Sequence, residues 1–133
     1  MALLARLWVG WAFLSAGWLK VTSWQTTLML FQHEFQVPII SPVLAAYLGT
    51  SAEVLLPLLL MFGLGGRFTA LSLFMFNAVA VLSYPFLWTP DGAQGLAHHI
   101  NWGVILALLT CYDLGSWSLD AWLAKHFGWR ICP

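Results

Sequence analysis

From Pro42 to Gly63 the chain reads PVLAAYLGTSAEVLLPLLLMFG, and Glu53 is the one charged side chain in it. A bilayer core about 30 Å thick is crossed by a helix of about 20 mostly apolar residues. Ala2 to Val21 and Arg67 to Trp88 are similar runs, and Ala97 to Tyr112 is a shorter one that lengthens if it recruits residues from Ala93 onward. The runs are continuous and do not alternate, which specifies helices and not barrel strands. The expectation is an all-α, four-transmembrane-helix bundle, one domain over residues 1–133, with spans near 2–21, 42–63, 67–88 and 97–112.

Composition points the same way. The 133 residues are 61% hydrophobic and 8% charged, whereas soluble domains carry about 25% charged residues. Such a chain cannot clothe a soluble surface with polar groups. The lipid bilayer is thus the expected surrounding. The formal net charge is zero, and no basic tract is present, so nucleic acid is not an expected partner. Cys111 and Cys132 form neither a CxxC nor a zinc spacing. The first run has a signal-peptide alternative, but SAGWLK is a poor cleavage site, and the run reads as a span.

Local signals set the boundaries. Ser41-Pro42 offers a capping hydroxyl before a proline at the first helical position. GLGGR (63–67) ends one helix and turns into the next. TPDGAQG (89–95) is a turn-rich loop. Residues 22–37 read as a partly helical surface loop. In DLGSWSLDAWLAKHFGW (113–129), Trp117, Leu119, Trp122, Leu123 and Phe127 share one face of a C-terminal interfacial amphipathic helix. Four spans place Arg6, Arg67, Lys125 and Arg130 on one side, which the positive-inside rule makes cytoplasmic, with both termini.

Charged groups within spans are costly, by about 2.5–3.5 kcal/mol on insertion scales, so each needs an account. Glu53 shares a face with Ala46, Gly49 and Thr50, a small-residue stripe suited to helix packing. Pro57 has no N–H, which frees the carbonyl of Glu53 to accept from elsewhere. That combination suits a proton or quinol site; the alternative is a neutral carboxyl bonded to another helix. Lys20 shares a face with Gly10, Phe13 and Gly17. It either points inward, as a partner for Glu53 or a bound anion, or snorkels to the headgroups. Asn77, Tyr84 and Trp88 fall on one face of the third span, where Asn77 suits an interhelical hydrogen bond and the aromatics also suit the interfacial belt. Pro85 is expected to kink this helix. Arg67 reads as a topological anchor.

AHHINWG (97–103) carries adjacent imidazoles. Neighbouring helical side chains diverge by about 100°. His99 shares a stripe with Trp102, Gly103, Leu106, Thr110 and Asp113 and is the candidate for the interior. His98 shares a face with Ile105, Leu109 and Tyr112 and is expected toward lipid. His33 and Glu34 are expected at the outer mouth of the bundle. Together with Lys20, Glu53, Asn77, Tyr84, Asp91, His98 and His99 they suggest a polar cavity opening outward.

FLSAGWLK (13–20), EVLLPLLLMFGLGGRFTAL (53–71), HINW (99–102) and LGSWSLDAWL (114–123) resemble, in order and spacing, the motifs of the DoxX family of small bacterial four-helix membrane proteins. FQVPIISPVLAAYLGTSAE is most similar to the branch accompanying peptide-modifying iron enzymes in metal-stress operons. Asp113-Leu114-Gly115 departs from the family's usual G-P-G. The resemblance implies the bacterial inner membrane and the positions Lys20, Glu53, Arg67 and His99. It also implies a link to quinol or thiosulfate:quinone oxidoreductase systems and to thiol and oxidative stress, though many members have no established activity.

Three functions follow as expectations. The first is a quinone-interacting oxidoreductase subunit, in which Glu53, His99 and Lys20 handle protons and Trp102, Tyr84, Asn77, Trp88 and Arg67 surround the headgroup. The second is a non-catalytic anchor that holds a partner protein or forms a homo-oligomer. The third is a haem or metal site drawn from His99, His98 and His33.

Overall fold

The computed structural model describes residues 2–33, 39–111 and 118–128. Glu34, Tyr112, Asp113, Trp117 and Arg130 lie outside the described residues. Six α-helices follow in order: α1 (Ala2–Thr22), α2 (Trp24–His33), α3 (Pro42–Phe62), α4 (Gly66–Ser83), α5 (Ala93–Cys111) and α6 (Leu119–Phe127). Two short 3₁₀ turns, Pro85–Trp88 and Pro90–Gly92, join α4 to α5. The described residues contain no strand. By length and composition, α3 and α4 are apolar enough to cross a membrane.

The four long helices pack as a ring, α1 on α3, α3 on α4, α4 on α5 and α5 back on α1. Val9, Phe13, Leu60, Ala70, Leu73, Leu106 and Leu109 form the shared core. Large apolar side chains also cover the outside: Leu55 is 59% exposed, Phe68 61% and Leu82 74%. An apolar exterior around an apolar core is the surface of a bundle solvated by lipid.

The partly helical segment expected at 22–37 contains α2, whose Phe31 packs with Ala45 and Ala46 of α3. One boundary differs from the sequence expectation. Helix α4 does not run to Trp88 with a kink. It stops at Ser83, because Pro85 pushes Tyr84 into an extended conformation (φ −116°, ψ 93°). Helix α5 recovers the lost length by starting at Ala93. The capping expectation holds: Leu44 N–H donates to Ser41 Oγ at 3.3 Å.

The turn after α3 needs glycine. Gly63 sits at φ 74°, and a Cβ there would collide with the Arg6 guanidinium and lie 2.8 Å from Ser118 Cα. Asp120 N–H donates to Gly63 O at 3.1 Å, which docks α6 against the same turn. Arg6 is completely buried there. The sequence marks it as a cytoplasmic charge, yet it lies on the Gly10, Phe13, Gly17 and Lys20 face, one turn earlier.

Candidate functional site

Helices α1 and α3 approach closely at Gly17, where α1 has no side chain. A Cβ on Gly17 would lie 3.0 Å from the Cβ, carbonyl carbon and carbonyl oxygen of Glu53. The carbonyl that Pro57 deprives of its usual donor therefore faces Gly17. Side chains tilt toward the N-terminus of their own helix. Because the two helices run antiparallel, Lys20 leans back toward the level of Gly17 and Glu53 leans up to meet it. The Lys20 ammonium donates to Glu53 Oε2 as a buried ion pair, the two side chains being 18% and 10% exposed. Thr27 Oγ1 of α2 donates to the Lys20 carbonyl at 2.9 Å and ties the end of α1 to α2. Lys20 thus points inward, and Glu53 faces the bundle.

Across the ring, Asn77 of α4 holds His99 of α5 at two points. Asn77 Nδ2 donates to the His99 carbonyl at 3.0 Å, and Asn77 Oδ1 lies 2.7 Å from His99 Nδ1. Gly103 leaves room for the amide, since a Cβ there would come within 3.3 Å of Nδ2. The His99 ring meets Trp102 edge-on at 4.9 Å between centroids, and Trp102 meets Phe13 at 5.3 Å.

The ion pair and His99 share a space. A cavity of about 250 Å³ is lined by Phe13, Lys20, Glu53, Tyr84, His99 and Trp102, with Ala12, Ala16, Leu30, Ala80 and Leu87. A second, more apolar cavity of about 280 Å³ lies between α2, α3 and α4 and also touches Lys20 and Glu53. Lys20, Glu53 and Ala80 line both. Each volume is near the lower end of ordinary ligand pockets, about 300–1,000 Å³.

The remaining candidates lie elsewhere. Arg67 is exposed on the first turn of α4, at the Arg6 end of the bundle, so the fold does not bring it to Lys20 and Glu53. Trp88 lies past the end of α4 at Ser83 and is 60% exposed; its indole donates to Val81 O at 3.0 Å. It lines an outer groove between α4 and α5 instead. Asp91 is exposed as well. His98 and His33 are exposed, whereas His99 is half-buried. Leu109, expected toward lipid with His98, is buried in the core. The described residues hold no group of three or more His, Cys, Asp or Glu side chains able to bind a metal, and the three histidines do not converge.

An all-helical bundle with an apolar exterior and a polar pair of sites inside defines a membrane protein. The family model described as DoxX matches residues 1–85, and the chain belongs to the DoxX family. The match takes in Lys20, Glu53, Arg67, Asn77 and Tyr84 and stops before α5, so His99, Trp102 and the α6 segment lie beyond it. No curated protein and no solved structure matches the chain.

Proposed function

We propose that this protein is a quinol-interacting subunit of a membrane oxidoreductase system. The observation that carries the reading is the single cavity shared by Lys20, Glu53 and His99 and walled by Phe13, Tyr84 and Trp102. Aromatic walls suit a planar ring. The Lys20 ammonium is a donor to a ring oxygen. Histidine exchanges protons near neutral pH, and Glu53 is a second proton-carrying group lining the same cavity. Oxidation of a quinol to the quinone releases two protons and two electrons. In this reading His99 and Glu53 take the protons, and the electrons leave to a metal- or flavin-bearing redox partner.

The same reading places α1, α3, α4 and α5 across the bacterial inner membrane, with both termini cytoplasmic. At 21 and 19 residues, α1 and α5 reach about 30 Å at 1.5 Å per residue, enough for the bilayer core. Quinol oxidation measured in membranes carrying the intact system tests the function. Loss of activity in Glu53→Gln and His99→Ala is expected; unchanged rates in both overturn it.

One observation favours a second reading, that of a non-catalytic partner subunit. Trp8, Trp11 and Trp18 project from the outer face of α1, each more than 60% exposed. Trp11 lies mid-helix, away from the interfaces where tryptophan usually sits. Crosslinking through a cysteine at Trp11 tests whether a protein covers this face.

A further inference from the structure

The Asn77–His99 clamp determines which nitrogen of His99 carries the proton. A backbone carbonyl only accepts hydrogen bonds. The Asn77 atom 3.0 Å from the His99 carbonyl is therefore the amide nitrogen, which fixes the orientation of the side chain. Its oxygen must then be the atom 2.7 Å from His99 Nδ1. That oxygen also only accepts, so Nδ1 carries the hydrogen. A neutral imidazole has one N–H, and Nε2 is left with a lone pair. No described residue hydrogen-bonds to Nε2. Asn77 is 5% exposed, so little water competes for the clamp.

His99 and Lys20 both line the cavity, so a ligand there that reaches Nε2 meets an acceptor, and one that reaches Lys20 meets an ammonium with three N–H groups, one of them given to Glu53. We propose that Asn77 is a positioning residue that sets ligand preference: by holding His99 with its proton on Nδ1, it makes the cavity a site for a hydroxyl-bearing arene-diol rather than its dicarbonyl form. The proposal rests on the quinol reading above and adds which redox form is bound. A hydroquinone donates to His99 Nε2 and accepts from Lys20. A quinone accepts from Lys20 but sets an oxygen lone pair against that of Nε2. One buried hydrogen bond gained or lost corresponds to roughly a tenfold preference.

Two measurements on the full chain in nanodiscs test this. The first is ¹⁵N NMR of histidine-labelled protein, with the His99 signals assigned by their loss in His99→Ala, on the alkaline side of the imidazole titration. Wild type is expected as the Nδ1–H tautomer. Asn77→Asp, which keeps an acceptor, should retain it, and Asn77→Ala should not. An Nε2–H tautomer in wild type overturns the proposal whatever the ligand does. The second is calorimetric binding of a decyl-substituted 1,4-benzoquinone and of its hydroquinone. Roughly tenfold tighter binding of the hydroquinone, levelled in Asn77→Ala, supports the proposal. Equal binding by a wild type shown to be Nδ1–H overturns the preference while leaving the quinol site standing. Binding of neither form overturns the quinol reading and the preference together.

Discussion

Lys20 of α1 and Glu53 of α3 form an ion pair across a close helix–helix contact, the one made possible by Gly17. Neither charge is stable alone in an apolar interior, whereas removing both is close to neutral when the volume is kept. Lys20→Met should therefore cost about 3–5 kcal/mol, and Lys20→Met combined with Glu53→Gln should recover most of it. Thermal unfolding of the single and double variants in one detergent gives the comparison; additive losses would show that the pair does not act as a unit.

Gly17 is the spacer for that pair. A methyl group at 3.0 Å from three Glu53 atoms is tighter than ordinary van der Waals contact, and two of the three belong to backbone that cannot turn aside. Gly17→Ala is expected to destabilise by about 1–3 kcal/mol as overpacking pushes α1 off α3. Gly128, whose Cβ would meet nothing within 4 Å but which has a φ of 66°, provides a contrast. Gly128→Asn, which tolerates the left-handed region, should leave unfolding within about 0.5 kcal/mol of wild type.

The two arginines near the Gly63 turn should behave oppositely. Arg6 is fully buried against the turn and Ser118, and Arg67 is exposed. Truncating a buried side chain of this size leaves a cavity, so Arg6→Ala should lose about 2–5 kcal/mol. Arg67→Ala should stay within about 0.5 kcal/mol. Equal losses in a thermal melt would mean that Arg67 has a structural partner of its own.

Adjacent histidines should separate in binding. His99 lines the inner cavity and His98 is exposed. His99→Ala should weaken hydroquinone binding roughly tenfold, the worth of one hydrogen bond, and His98→Ala should leave it unchanged. Titration calorimetry on the two variants distinguishes them, and a shared loss would argue against the assignment of the acceptor to His99.

The sequence by itself determined the all-helical membrane character, the position of the Ser41 cap and the Gly63 turn, the inward face of α3 and the His99 stripe of α5. Those properties follow from hydropathy and from the 3.6-residue period, which are local to each helix. It separated His99 from His98 for the same reason. It left Lys20 open between the interior and the headgroups and set Leu109 toward lipid, whereas the fold buries Leu109. The pairing of Lys20 with Glu53 and of Asn77 with His99 was decided by tertiary structure, because each joins two helices whose axial offset is set by Gly17 and Gly103. The exclusion of Trp88 and Arg67 from the cavity also came from the fold, through the stop that Pro85 imposes on α4 and the far-end location of the turn that starts it. Arg6 shows the boundary between the two: its helical face was legible, but its burial depends on α3 and the start of α6 closing over it.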